Sequence, residues 1–229
     1  MLDADARPHP DPGVLAVPFK LAGVRISRMN PNLCNLCETK FRSVKKAQQV
    51  IVPATVLFAD VRGYTSLSEE VEAGDVSSML GEFYDRCSEA IWERDGIVNK
   101  LIGDAIIAIY NFPISRQDHV KQAALSGIDL QRRCQAMTRM GGRDLPVGVG
   151  IHAGDVAIGE IGRSLKDFTA IGEVVNLAAR LQGASQPGEV LVTEQVYREV
   201  ERDYPAAERR TCTLKGIAKP VTAYVLRAQ

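Results

Sequence analysis

Two carboxylates, an amide and a guanidinium carry most of the chemistry available to this chain. Asp60 closes the apolar run Thr55-Val56-Leu57-Phe58-Ala59 and is followed at once by Val61-Arg62-Gly63-Tyr64-Thr65-Ser66. Asp104 sits at a turn between two further apolar runs, Ile97 to Ile102 and Ala105 to Tyr110. A carboxylate at the end of a buried strand does not stay ionised without a cation or hydrogen-bond donors. Two of them brought together repel, and a divalent metal relieves that repulsion. Downstream, Asn176 and Arg180 stand four apart in Asn176-Leu177-Ala178-Ala179-Arg180, a spacing that places both on one helix face. Two acids for metal with an amide and a guanidinium for a developing oxyanion make a set suited to phosphoryl transfer. Taken singly, an Asp at a turn or a polar pair on a helix is ordinary. The weight lies in the strand-end settings of both acids and in the apolar run Val174 to Leu181 around the amide and guanidinium.

The elements that must position these groups follow from periodicity. The pattern predicts a strand over 54–60, a helix over 75–94, a strand pair 97–102 and 105–110, a helix over 116–138 and a strand over 146–152. A second strand pair around 155–171 follows, then a helix over 174–184, a strand over 189–193, a short helix from Glu194, and strands near 210–215 and 221–226. Gly103-Asp104 fits a two-residue hairpin turn, where Gly tolerates positive φ. Gly141-Gly142-Arg143-Asp144 is loop punctuation. The order is that of an α+β, ferredoxin-like βαββαβ sheet with helices on one face and extra C-terminal strands. Such a sheet serves more than one chemistry, so the residues must decide.

The matching stretches occur in one order: Val56-Leu57-Phe58-Ala59-Asp60-Val61-Arg62-Gly63-Tyr64-Thr65, then Lys100-Leu101-Ile102-Gly103-Asp104. Val149-Gly150-Ile151-His152-Ala153-Gly154-Asp155-Val156, Thr169 to Arg180 and Leu214-Lys215-Gly216 complete them. In this combination the chain resembles the catalytic domain of the class III nucleotidyl cyclases, the adenylate and guanylate cyclases, from about Ala54 to about Leu226. The resemblance implies a reaction, ATP to cyclic AMP and pyrophosphate, and two divalent ions, Mg²⁺ or Mn²⁺, held by Asp60, Asp104 and the backbone carbonyl of Val61. It implies that Arg62, Gly63, Tyr64 and Thr65 lie along the triphosphate, with Lys215 as a further phosphate contact. Lys100 would donate to the purine N1, which selects adenine. Lys cannot accept a hydrogen bond, so guanine, which presents donors there, is disfavoured. Thr169 stands at the second base-reading position, where many adenylate cyclases carry Asp. It can accept from the 6-amino group but discriminates less than a carboxylate. Thr at this position is shared with a subset that includes bicarbonate-responsive enzymes. Asn176 would orient the ribose, and Arg180 would stabilise charge on the α-phosphate. The resemblance also implies a homodimer with two shared sites, Asp60 and Asp104 from one chain facing Lys100, Thr169, Asn176 and Arg180 of the other. The rivals are a catalytically silent cyclase-like module and a guanylate cyclase. A diguanylate cyclase shares the palm-like fold, but residues 141–144 lack the acidic end of its signature loop and lie in the wrong place.

Composition narrows the field. The 229 residues suit one catalytic domain, 53–229, behind a lead-in of residues 1–52 that is rich in Pro and poor in pattern at its start. Formal net charge is zero, so no electrostatic hold on nucleic acid or anionic membrane is expected. The N-terminus lacks a basic start and an apolar core, and no apolar stretch approaches the ~20 residues of a membrane span. The five cysteines are odd in number and scattered, which argues against a disulfide framework. A soluble, cytoplasmic protein is expected. Cys34-Asn35-Leu36-Cys37 supplies half of a tetrahedral zinc site and begins a basic segment, Glu38 to Val50, with helical character. His119 and His152 have no partners at metal or triad spacing, the first expected near a helix start and the second at a strand end. Trp92, Phe83, Ile91 and Leu80 are read as core.

Overall fold

The computed structural model describes residues 2–3, 25, 27, 29–36, 49–137, 145–162, 164 and 167–228. Cys37, most of the Glu38 to Val50 segment and residues 141–144 lie outside them. Strand β1, Val50–Val61, is the spine of the molecule. Its middle, Ala54 to Leu57, is buried on both faces: Leu57 belongs to a cluster with Phe83 and Ile128, and Ala54 and Val56 to one with Phe168, Val174 and Ala178. It begins earlier than the apolar pattern suggested and runs through Pro53. The missing Pro N–H is tolerated because pairing with the strand on one side stops at Thr55, while the Pro53 carbonyl accepts from Asn111 Nδ2 at 2.9 Å.

Helix α1, Tyr64–Glu70, follows β1, and α2, Ala73–Trp92, runs back over the sheet. The apolar positions of α2, Val76, Met79, Phe83, Cys87, Ala90 and Ile91, fall at helical spacing and are buried. Strands β2, Ile97–Ile102, and β3, Ala105–Tyr110, form the hairpin turned at Gly103-Asp104, with Gly103 at φ 60°. Helix α3, His119–Gln135, starts later than its periodicity implied, because Arg116 is held outside it by Asp95 at 2.7 Å and Asp118 at 2.8 Å. Strand β4, Val147–Ile161, is one continuous element rather than two. It pairs with β1 without a break from Val61↔Val147 to Val50↔Ile158, and that ladder carries it through Gly154-Asp155. Its far end turns back into β5, Asp167–Ile171. Helix α4, Glu173–Ala184, then leads to β6, Val190–Thr193, the short α5, Glu194–Arg198, and the strands β7, Glu208–Cys212, and β8, Val221–Leu226.

The eight-stranded sheet has the order β2-β3-β1-β4-β6-β8-β7, with β5 paired to β4. Each neighbouring pair among the first four strands is antiparallel, the ferredoxin-like core. β6 joins parallel to β4 and brings the extra C-terminal strands. Helices α2 and α3 cover one face over Leu57, Ala59, Phe83, Ile128 and Val149. Helix α4 lies on the opposite face, so not all helices share one side. Gly150 permits this: a Cβ there would sit 2.1 Å from Gln182 N and 2.4 Å from the Ala178 carbonyl oxygen, both α4 backbone. Behind β6, the buried Glu189 accepts from Arg210 at 2.8 and 2.9 Å and from Arg227 at 2.7 Å, tying β7 and β8 to the body of the domain. No described helix is long and apolar enough to cross a membrane.

Two glycine substitutions separate close approach from helix propensity. Gly150→Ala forces a methyl into the α4 backbone and should cost about 3 kcal/mol. Gly81→Ala, in the open on α2, should gain roughly 0.5–1 kcal/mol. Urea denaturation of both variants checks this, and equal midpoints would refute the close packing of α4 on β4.

Candidate active site

Asp60 is the penultimate residue of β1 and pairs with Ala105, the first residue of β3, while Asp104 precedes Ala105 in the hairpin turn. The Val61 N–H donates to the Asp104 carbonyl at 3.2 Å, which fixes the two carboxylate-bearing segments side by side. Both side chains are half-buried. Burial first, and then the charge of Asp104, raises the Asp60 pKa, while the Arg62 guanidinium acts against both. Asp60 is therefore costly to ionise, chiefly because it is buried. Tyr84, on α2, donates its hydroxyl to the Gly103 carbonyl and pins the turn; burial and then the Asp104 charge push its own pKa up.

Arg62 does not extend along Gly63 to Thr65. Its backbone N–H donates to the Pro146 carbonyl at 2.7 Å, and its guanidinium donates to the Gln182 carbonyl and, at 2.9 Å, to Ser185 Oγ. Gly148 leaves room for it: a Cβ there would lie 2.2 Å from the guanidinium. Burial lowers the Arg62 pKa, offset by Asp60 and Asp104. The side chain thus joins the acidic end of β1 to the C-terminal end of α4. Gly63, at φ 73°, makes the left-handed turn into α1, with Tyr64 half-buried and Thr65 exposed.

On α4, Val174, Leu177, Ala178 and Leu181 are buried, while Asn176 and Arg180 are exposed. The amide and the guanidinium share an outward face, and the contact of α4 with the Arg62 region runs instead through Gln182 and Ser185. Lys100 lies on the edge strand β2 just after an irregularity, because the register of β2 on β3 shifts between Val98 and Lys100. Its ammonium pairs with Asp167 on β5, two residues from Thr169. Lys215 is exposed beside Gly216, which turns at φ 80°.

The structure brings Asp60, Asp104 and Arg62 into one cluster and Lys100 near Thr169 in another, and it leaves Asn176 and Arg180 facing outward. Tyr84, Asp167, Gln182 and Ser185 were not anticipated. Their contacts to Gly103, Lys100 and Arg62 span 19, 67, 120 and 123 residues, and no local spacing signals them. His119 begins α3 with Nδ1 2.8 Å from Thr55 Oγ1. His152 lies within β4 rather than at a strand end, its Nδ1 2.9 Å from Thr193 Oγ1. Burial lowers the pKa of both. Trp92 is half-buried against the core and donates to the Met29 carbonyl at 2.7 Å.

The donor set suits a hard divalent cation. Among the described residues no cluster of three or more His, Cys, Asp or Glu forms an all-protein cage. Two carboxylates and a neighbouring carbonyl are what Mg²⁺ or Mn²⁺ takes when water and substrate phosphates complete its shell.

The raised Asp60 pKa gives a pH-dependent stability. Its ionised form is disfavoured in the fold, so it costs nothing below the ordinary 3.8 and costs most above its raised folded value. Asp60→Asn should therefore melt higher than the parent in metal-free buffer at about pH 7, with the gap closing toward about pH 4. Equal melting temperatures at both pH values would show that Asp60 bears no such cost.

The sequence profile described as the Adenylate and Guanylate cyclase catalytic domain matches residues 46–228. An adenylate cyclase of Anabaena cylindrica is 33% identical over 184 residues, covering 76% of this chain and 36% of that protein. An adenylate cyclase of Mycobacterium tuberculosis is 26% identical over 173 residues, covering 76% of this chain and 39% of that protein. The chain thus spans little more than a third of the length of these relatives. Among solved structures, the adenylyl cyclase CyaB from P. aeruginosa is similar with TM-score 0.68 and 28% identity over 80% of this chain and 97% of that one. The guanylyl cyclase Cya2 matches with TM-score 0.71 and 26% identity, covering 78% and 93%. With the profile spanning most of its length, the chain belongs to the adenylate and guanylate cyclase catalytic domain family.

Proposed function

We propose that this chain is an adenylate cyclase that converts ATP to 3′,5′-cyclic AMP and pyrophosphate at a homodimer interface. The observation that carries this reading is Lys100, a donor-only side chain ion-paired on β5 with Asp167, two residues from Thr169. Its ammonium would donate to the adenine N1, and the Thr169 hydroxyl would accept from the 6-amino group. Guanine, with N–H at N1, finds no acceptor in Lys100. We further propose that residues 53–229 form the catalytic unit behind the 1–52 lead-in and that the protein works in the cytoplasm, on neither nucleic acid nor membrane.

Asp60 and Asp104, with the Val61 carbonyl, would hold two ions, Mg²⁺ or Mn²⁺. When bound, these ions neutralise triphosphate charge and make the ribose 3′-hydroxyl more acidic. The chain's own groups do the positioning. Gly63, Tyr64 and Thr65 follow the metal-holding strand end and would line the triphosphate, with Arg62 bracing that turn against α4. Asn176 would fix the ribose so that its 3′-oxygen points at the α-phosphorus. That oxygen forms the new P–O bond as the bond to the β-phosphate bridging oxygen breaks, its proton passing to water and pyrophosphate departing. Arg180 would place its planar fork on the α-phosphate oxygens as charge builds there, and Lys215 would meet the leaving phosphates.

The outward placement of Asn176 and Arg180 supports a site completed by a second copy. One protomer would give Asp60 and Asp104, and its partner would give Lys100, Thr169, Asn176 and Arg180. The chain carries both sets, as a twofold dimer with two equal sites requires. That every one of these positions holds a competent side chain speaks against a silent module.

Lys100→Glu with Thr169→Cys should weaken ATP turnover and admit GTP. An ATP/GTP ratio equal to that of the parent would show that these residues do not read the base and would open the guanylate reading. Asp60→Ala and Arg180→Ala should each be nearly inactive, yet recover on mixing, because half of the dimers are then mixed and each keeps one good site. The ceiling is about a quarter of the parental rate. No recovery despite proven subunit exchange would place both sets within one chain.

A further inference from the structure

The base-reading position held by Thr169 lacks the carboxylate that would give the stronger contact, yet a carboxylate stands two residues away. Along β5 the exposure alternates: Asp167, Thr169 and Ile171 lie on the open side, and Phe168 and Ala170 are buried against Ile107, Ile109 and Ile158. Asp167 and Thr169 therefore share one face of the strand. The Lys100 ammonium pairs with the Asp167 carboxylate. Next to it, Asn99 Nδ2 donates to the Phe168 carbonyl at 3.3 Å. Asn99 is the residue at which the β2–β3 register slips, between Val98 and Lys100. A bulge of this kind re-aims the side chains beside it. Asn99-Lys100 is thus latched, residue against residue, onto Asp167-Phe168, and the latch turns an edge-strand Lys toward the face that bears Thr169.

Stability does not account for this pair. The side chains of Lys100 and Asp167 are 25% and 55% exposed, and ion pairs so open to water contribute little to folding. We infer that Asp167 is a specificity-determining residue of the base site: its carboxylate holds the Lys100 ammonium beside Thr169 and supplies the acidic charge that Thr169 does not. This inference rests on the adenylate reading proposed above. The ammonium has three donors, so Asp167 takes one and leaves others for an acceptor such as the purine N1. While engaged by Lys100, the carboxylate is also less available to the N–H donors that guanine presents.

The test compares the full chain with Asp167→Ala, Asp167→Asn and the double variant Asp167→Ala/Thr169→Asp, using ATP and GTP with Mg²⁺ and with Mn²⁺. Asp167→Ala should raise the KM for ATP about tenfold, the worth of one charge-assisted contact, and lower the ATP/GTP preference by a similar factor. The loss should fall in KM, with kcat changed by less than about threefold. Asp167→Asn, which keeps the shape and loses the charge, should behave like Asp167→Ala. Thr169→Asp in the Asp167→Ala background should restore both KM and preference, because it returns a carboxylate within reach of Lys100. Melting temperatures should agree within about 2 °C, since the pair is exposed. Unchanged KM and preference in Asp167→Ala, or no recovery in the double variant, would overturn the inference. A separate readout is displacement of a fluorescent ATP analogue by ATP and by GTP, which needs no turnover. If the parent cyclises neither nucleotide, the adenylate reading fails. The displacement preference still decides the role of Asp167, and an equal preference in parent and Asp167→Ala refutes it.

Discussion

The burial of Asp60 beside Asp104 is the constraint around which the candidate site is arranged. At the joined ends of β1 and β3, burial and then the charge of Asp104 raise the energy of ionised Asp60. The fold accepts that cost because it does not spread: the carbonyl of Asp104 is already paired with Val61, and Tyr84 holds the turn from α2. Arg62 is the compensating charge beside Asp60 and Asp104, but its guanidinium is drawn off to Gln182 on α4 and to Ser185 just past its end. The two carboxylates thus stand together at a strand end, a donor set that suits a divalent cation whose shell substrate phosphates complete.

Helix α4 is the second consequence of local chemistry with wide reach. It can lie on the sheet only because Gly150 presents no side chain to its backbone and Gly148 leaves space for Arg62. Once its apolar stripe is seated on the sheet, the i, i+4 pair Asn176 and Arg180 has nowhere to face but outward. A helix that presents an amide and a guanidinium on its exposed face is well suited to the proposed service of another copy. The seating of α4 and the proposed shared site thus rest on the same packing.

The proposed base-reading corner depends on a different device. An edge strand is normally a free margin of the sheet. Here β2 is engaged from both directions, by the carbonyl of Met29 accepting from Val98 N–H at 2.9 Å and by the latch of Asn99 and Lys100 onto β5. The β4–β5 hairpin folds over the sheet because Phe168 and Ala170 have apolar partners there. Packing on one side of β5 thus fixes where its other side offers Asp167 and Thr169.

Much of this was legible in the residues. The hairpin 97–102 and 105–110 follows from two apolar runs about a Gly-Asp turn, and α2 and α4 fall within two residues of their periodicity because buried stripes repeat at helical spacing. The order of the motifs was enough to reach the family. Boundaries failed where a non-local partner overruled local pattern: β4 stays extended through Gly154-Asp155 because β1 pairs with it throughout, and α3 begins late because Arg116 is held by Asp95. The sequence by itself determined which side chains can carry charge, metal and base recognition, since those are properties of residue type and short spacing. Only the tertiary structure decided that Arg62 braces α4, that Asn176 and Arg180 point away from Asp60, and that Asp167 holds Lys100. Each of these rests on elements distant along the chain meeting over the sheet, and chain separation erases any local trace of such contacts.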